Sequence, residues 1–495
     1  MLDSFLWICV FFYGVASLAL MVYGLNAYVL LGMFLRRVGP MRRAQQERER
    51  AYLAQEDPEW PVVTTQLPLF NEYNVAERVI RAVAAIDYPE GRHQIQVVDD
   101  STDSTRDLVD QLVAELSAEG IWIEAYRRPT REGYKAGALD EAMAGAKGEF
   151  IAIFDSDFVP KTDFLRRMMP HFHTEKVALV QARWGHLNGD VSPLTTAQSI
   201  GIDGHFVVEQ VARSEKDLFL NFNGTAGIWR REAIADGGGW QADTLTEDLD
   251  LSYRCQLKGW KIEYVIDVVV PAELPENYVG FKSQQFRWAK GSTQTAMKLL
   301  SRVMGSQVSL HAKWQAIFHL LHYCVHLMML ALVVFSIPVS FLLPRLTHVS
   351  GSAFFLVPLV VAACGPSMLY FFSQRFLYPE TWIKRLVWLP ALIALGFGMC
   401  LSNTRGIVEA LMRKRSGFVR TPKKGAVESV KYRTQRDWLP IVELIAGVYC
   451  IAAMVSLGYH DEWGGLIFFC CYAMGFFTIG YHSWQEQRVV AGGTP

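Results

Sequence analysis

Two aspartates one residue apart, Asp155 and Asp157, close the apolar run Ile151-Ala152-Ile153-Phe154. Such a run reads as a buried strand, and two carboxylates just past its end can converge on one hard divalent cation, of the kind a sugar nucleotide diphosphate needs. An isolated Asp-x-Asp reads more simply as the start of a turn or a helix cap. This pair has company. Glu72 ends Gln66-Leu67-Pro68-Leu69-Phe70-Asn71-Glu72, and Asp99 opens Asp99-Asp100-Ser101-Thr102-Asp103, each just after another apolar run. Both can accept hydrogen bonds from a base and a ribose, or cap the helices that follow. Gly133-Tyr134-Lys135-Ala136-Gly137 opens a further helix, with glycines that allow close backbone approach and a lysine suited to a diphosphate; its spacing is not that of a Walker A loop.

Further along, Phe222-Asn223-Gly224-Thr225-Ala226-Gly227 is a small-residue segment where a ligand or another backbone can approach, or the chain can turn tightly. In Thr246-Glu247-Asp248-Leu249-Asp250-Leu251, Thr246 can cap a helix, and capping accounts for one of the three carboxylates but not for all of them. Gln284-Gln285-Phe286-Arg287-Trp288 leads toward an apolar region, where a membrane-surface helix would carry Arg and Trp in any case.

The elements that must hold these residues follow from periodicity. From position 61 short apolar runs alternate with amphipathic segments, the pattern of βα units around a mostly parallel sheet. Strands are expected at 62–69, 95–99, 121–126, 150–154 and 177–181, with helices at 75–86, 104–118, 134–146 and 161–171. Ligands of such sheets bind at the carboxyl ends of the strands, where Glu72, Asp99, Asp155 and Asp157 fall.

Hydrophobic residues make up 51% of the 495, but they crowd before position 36 and after position 312, so this is a membrane protein with a soluble middle. A net charge of -1 indicates no nucleic-acid partner. The cysteines lie almost entirely in apolar stretches and form no CxxC pair, which suggests packing rather than zinc or disulfides. The apolar segment 5–35 is too long for a signal-peptide core and is followed by Arg36, Arg37, Arg42 and Arg43, so its far side faces the cytoplasm. Later spans are expected at 315–343, 353–372, 439–459 and 465–481. If 386–401 also crossed, the basic region 405–436 would lie outside, so residues 386–412 are expected as a re-entrant or interfacial element on the cytoplasmic side. The resulting division is a membrane helix at 1–35, a linker at 36–60, a cytosolic domain at 61–311 ending in interfacial helices, and spans at 312–374. An interfacial element and loop follow at 375–438, then spans at 439–481 and a tail at 482–495.

Taken in order, Asp99, Asp155-Ser156-Asp157, Thr246-Glu247-Asp248 and Gln284-Gln285-Phe286-Arg287-Trp288 resemble the D, DxD, TED, QxxRW series of family 2 membrane glycosyltransferases, over about 61–291. The wording of the motifs is most similar to the cellulose synthase-like A group, which makes β-mannan and glucomannan. The resemblance implies an α/β GT-A type (Rossmann-like) cytosolic domain joined to an α-helical transmembrane region, Mg²⁺ or Mn²⁺, and inversion at the anomeric carbon. It implies that Asp155 and Asp157 hold the metal and that Asp248, with Glu247 beside it, serves as base. Glu72, Asp99, Lys135, Asp155 and Arg287 fall to the donor, and Asn223, Gly224, Thr225, Gln284 and Trp288 to the acceptor. Phe418-Val419-Arg420-Thr421-Pro422-Lys423-Lys424 resembles the FxVTxK gating loop of cellulose synthases, which would bring Thr421 and Lys423 to the diphosphate; a basic linker lying on anionic lipid is the alternative. The implied partners are a lipid bilayer, a glycan or lipid acceptor, and GDP-mannose, GDP-glucose or UDP-glucose as donor. The implied location is a cell (inner) or Golgi-like membrane. Addition of a single sugar to ceramide or diacylglycerol, and a membrane protein that binds a nucleotide sugar without reacting it, are the competing expectations.

Overall fold

The computed structural model describes residues 2–56, 58–214, 218–346, 351–414, 437–459 and 463–491. Seven strands form one mixed sheet: β1 (Val63–Leu69), β2 (His93–Asp99), β3 (Ile123–Tyr126), β4 (Phe150–Ile153), β5 (Val177–His186), β6 (Gly227–Arg230) and β7 (Lys261–Ala272). Their order is β3-β2-β1-β4-β6-β5-β7. β1 to β4 are parallel, β6 runs antiparallel to both β4 and β5, and β7 is parallel to β5. The chain leaves β1 toward β2 on one side and returns on the other as β4. That reversal opens a crevice beyond the carboxyl ends of β1 and β4, where ligands of α/β sheets sit.

Apolar side chains cover both faces of the sheet, as a largely parallel sheet requires. Val63, Leu67, Ile95 and Val97 pack against Val79, Ile80, Val83, Val109 and Leu112 of the helices Tyr73–Ala84 and Thr105–Ala118. Ile151, Ile153, Leu179 and Trp229 pack on the other side with Leu139, Trp240 and Leu251. Each such side chain, wholly withdrawn from water, contributes about 1.5–3 kcal/mol before entropy is counted. The alternating polar positions of β1 and β2 are also buried, and most of their polar atoms find partners along the sheet: Thr64 donates to Gln94 at 2.6 Å, Gln66 to Gln96 at 3.1 Å, and Gln94 to Glu124 of β3 at 2.7 Å, while the Gln66 side-chain oxygen is left without one. These bonds offset most of the penalty of burying them.

Beyond the sheet the chain is helical. Ser4–Leu53, Leu356–Leu377, Trp382–Leu411, Leu439–Tyr459 and Leu466–Arg488 are long and apolar enough to cross a membrane. Leu310–Leu320 with Cys324–Ser340 passes the same test as a pair bent by 61°. The first helix, Leu2–Leu53, continues unbroken through most of the expected linker. The expected span 315–343 is therefore two helices, and the carbonyl of Leu321 at the break accepts a hydrogen bond from Tyr23 Oη at 2.9 Å. Residues 382–411 form three consecutive helices, Trp382–Leu386, Leu389–Gly398 and Cys400–Leu411. The middle one packs Leu395 and Leu392 on Leu194 and Ala197 beside the sheet domain, and the last lies on the helix Tyr278–Gly305.

Candidate active site

The carboxyl end of β4 delivers Asp155 into the crevice. Its backbone N–H donates to Thr225 Oγ1 at 2.9 Å, and its Oδ1 accepts from Lys135 Nζ at 2.6 Å. Lys135 lies in the first turn of the helix Tyr134–Ala142 and also donates to the carbonyl of Gly224 at 2.8 Å. Gly224 has φ +82°, and a methyl group there would stand 3.0 Å from Asp248 Oδ2 and 3.6 Å from Lys135 Nζ. Only glycine lets this loop pass between the two charges.

Glu247 and Asp248 open the helix Glu247–Leu257 and remain half-buried in the crevice. The helix Tyr278–Gly305 closes over that first turn: Gly291 abuts Thr246, whose hydroxyl is 3.1 Å from that of Thr295. Arg287, on the same helix, lies within electrostatic reach of Asp155, Glu247, Asp248 and Asp157. Burial pulls its pKa down and those carboxylates oppose the change, so it stays a cation. Burial also lowers the Lys135 pKa, but Asp155 and Glu247 outweigh it and hold the ammonium above its ordinary value. Asp248 is pushed up to about 7 by burial and then by the Glu247 charge, and burial raises Glu247 as well. A carboxylate poised near neutral pH suits a general base.

Backbone strain gathers in the same place. Asn71 (φ 52°), Tyr134 (φ 51°) and Ala226 (φ 55°) occupy the left-handed region without being glycine. Each costs of order 1–3 kcal/mol, and such residues persist where the surroundings force them, commonly at ligand sites.

The expected donor residues divide. Lys135, Asp155 and Arg287 meet Glu247 and Asp248. Glu72 and Asp99 stand apart, at the ends of β1 and β2. Glu72 is buried at the N-cap position of the helix Tyr73–Ala84, where its side chain makes no capping hydrogen bond. Asp99 has no exposed side-chain surface: Oδ2 accepts from Arg127 Nε at 3.0 Å and Oδ1 from the Ser101 N–H at 3.0 Å. Its carboxylate thus orders the loop and Arg127. Arg127, Arg128 and Arg131 went unnoticed in the sequence, although they follow a strand end. Arg128 is clamped to Asp100 at 2.7 Å, and Arg131 lies over the Phe70 ring at 3.4 Å.

Of the residues expected at the acceptor, Thr225 supports Asp155 as described. Asn223 turns inward, accepting hydrogen bonds from Gln210 and Asn221. Gln284 and Trp288 are half-buried on the helix of Arg287. Thr421 and Lys423 lie outside the described residues.

Among the described residues no three His, Cys, Asp or Glu side chains converge as a complete metal cage. The donor set nonetheless fits a hard cation. Mg²⁺ and Mn²⁺ beside a diphosphate take one or two carboxylates and complete their shell with phosphate oxygens and water, and Asp155 and Asp157 both retain access to the crevice.

Comparison with known proteins gives the same picture. Residues 61–291 match the family described as "Glycosyltransferase like family 2". The chain is 33% identical over 443 residues to glucomannan 4-beta-mannosyltransferase 7 of Arabidopsis thaliana, covering 85% of this chain and 76% of that one. It is 43% identical over 250 residues to glucomannan 4-beta-mannosyltransferase 2 of the same plant, covering 50% and 47%. In fold it is similar to the mannosyltransferase PcManGT of Pyrobaculum calidifontis in complex with GDP-Man and Mn2+, with TM-score 0.51, 19% identity, and coverage of 81% of this chain and 100% of that one. The first of these alignments extends well beyond the sheet domain into the membrane helices, and on that ground the chain belongs to glycosyltransferase family 2, among relatives of the cellulose synthase-like A type.

Proposed function

We propose that this chain is an inverting hexosyltransferase that extends a β-linked polysaccharide of mannan or glucomannan type from a nucleotide sugar and passes the product across its membrane. The observation that carries the reading is the Asp248 carboxylate, raised toward neutral pH and set across Gly224 from the Lys135–Asp155 pair. Asp248 takes the proton of an acceptor hydroxyl as that oxygen attacks the anomeric carbon. The bond from the anomeric carbon to phosphate breaks in the same displacement, and the nucleoside diphosphate leaves with the electron pair. Lys135 and Arg287 stabilise the charge that grows on it. Asp155 and Asp157 would hold Mg²⁺ or Mn²⁺, which when bound supplies further positive charge at the diphosphate. Trp288 offers a flat ring to the acceptor sugar, and burial of the crevice by the helix Tyr278–Gly305 excludes water that would otherwise hydrolyse the donor.

The relatives named as mannosyltransferases favour GDP-mannose as donor, ahead of GDP-glucose and UDP-glucose. Arg36, Arg37, Arg42 and Arg43 after the first apolar segment favour a cytosolic sheet domain. The test is to incubate purified protein in lipid nanodiscs with each labelled donor and Mg²⁺ or Mn²⁺. Ethanol-insoluble product that a β-mannanase degrades is expected. A labelled lipid instead would make the protein a glycolipid transferase, and donor bound but never consumed would make it a binding protein.

A further inference from the structure

The helix Tyr278–Gly305 has two faces with different duties. Gln284, Trp288, Gly291 and Thr295, spaced three or four apart, form the stripe toward the crevice, with Arg287 beside it. Lys282, Phe286 and Lys290 form the opposite stripe, and the membrane half grips them. Lys282 Nζ is 2.7 Å from a carboxylate oxygen of Glu443, on the helix Leu439–Tyr459. Lys290 Nζ is 2.9 Å from one of Glu409, on the helix Cys400–Leu411. Glu486, on the helix Leu466–Ala491, accepts from the Tyr278 and Val279 N–H groups at 2.9 and 2.8 Å, satisfying two donors that the first turn leaves open. Between the lysines, the carbonyl of Phe286 would lie only 3.0 Å from a methyl group placed at Gly406.

Both ion pairs are deeply buried. Lys290 and Glu443 have 0% side-chain exposure, and their partners Glu409 and Lys282 have 12% and 10%. Buried pairs of this kind seldom stabilise a fold better than apolar side chains of the same shape would. What they do supply is a defined rotation and height for the helix that bears them. We propose that Lys282–Glu443 and Lys290–Glu409 are positioning pairs, which hold Arg287 and Trp288 at the reacting groups and tie that placement to the arrangement of the membrane helices. The proposal rests on the transferase reading above.

Full-length protein in nanodiscs tests it. E409Q, and the apolar replacement K290M/E409M, should lower kcat on the order of ten- to a hundredfold, the scale of a misplacement of about 1 Å. Donor KM should move by less than about threefold, since groups aimed at the transition state are displaced more than the nucleotide site. Product chains should shorten, and the exchange variant K282E/E443K should recover part of the turnover that E443Q loses; Glu409 is unsuited to an exchange, because Arg405 and Lys414 also approach it at 3.2 and 3.5 Å. The apolar pair guards against simple unfolding, because it buries no lone charge. A folded K290M/E409M protein with wild-type kcat and chain length would overturn the proposal, as would equal losses of kcat and donor affinity that the exchange does not recover. A wild-type control that yields no polymer from any hexose donor would sink the polysaccharide reading alone. The positioning pairs would then be judged by donor hydrolysis, which needs Arg287 but no glycan acceptor.

Discussion

The two ends of the crevice are built on different plans. At the ends of β1 and β2, Asp99 pairs with Arg127 and Asp100 with Arg128, and the neutral Asn71 accepts from the Thr102 N–H at 2.7 Å. At the end of β4, the carboxylates of Asp155, Asp157, Glu247 and Asp248 gather around Lys135 and Arg287, the pKa values of Lys135, Glu247, Asp248 and Arg287 are displaced, and the charged groups come from four separate stretches of chain. One end is a finished surface, ready before any ligand arrives. The other holds unbalanced charge that a diphosphate and its cation would complete. Substitutions at the first end should therefore act on stability, and at the second on turnover.

The largest expected contrast is Asp248→Asn. Losing the base should reduce turnover on the order of a thousandfold, with donor affinity kept within a few-fold. Parallel loss of binding, measured by titration with the donor's nucleoside diphosphate, would assign Asp248 to the donor instead. Next, Asp157→Ala should weaken metal-dependent donor binding by about tenfold or more and should not be rescued by excess Mn²⁺. Normal binding in calorimetry would move the metal site elsewhere. A smaller effect sharpens the electrostatic half of the contrast. Because Asp248 must be ionised and its pKa in the free protein is raised to about 7, kcat/KM should fall as pH drops through about 7, well above the ordinary carboxylate range. Glu247→Gln removes the larger of the two neighbouring charges that raise it, so the acid limb of its residual activity should move to lower pH. The smallest effect on turnover belongs to Asp99→Asn. It should cost about 1–3 kcal/mol of stability, because Arg127 loses a buried charged partner, while kcat changes little. If Asp99→Asn cripples turnover at full thermal stability, the contrast between the two ends fails.

The same division explains what could be read from the chain beforehand. β1 to β5 and their helices announce themselves by apolar runs and amphipathic period, and with them the positions of Glu72, Asp99, Asp155 and Asp157. β6 is four residues long and antiparallel, and it lies in the same stretch as the Gly224 loop, so no local pattern separates strand from turn there. That Lys135 meets Asp155, or that Arg287 reaches Glu247, depends on helix packing between residues far apart in sequence. Arg127 and Arg128 passed unremarked because an arginine after a strand carries no signal until its carboxylate partner is seen. The break at Leu321 follows neither proline nor glycine; the hydroxyl of Tyr23, nearly three hundred positions earlier, helps to satisfy it. The segment with Thr421 and Lys423 lies outside the described residues.

The opening helix has one more consequence. Its 52 residues make a rod about 78 Å long at 1.5 Å per residue. Beyond the bilayer, Arg42, Gln45 and Glu49 share one side of it and hold Asp267, the carbonyl of Tyr264, and Arg167, at 3.0, 2.6 and 3.0 Å. The rod is thus a ruler with a phase. One residue inserted between the bilayer and Arg42 would swing those three contacts about 100° around the axis, away from β7, while lengthening the rod by only about 1.5 Å. Seven inserted residues would bring them nearly back into register but about 10 Å farther out. The distance from the membrane to the sugar-transfer site is therefore counted in residues, and it can be reset only in steps that respect the turn of the helix.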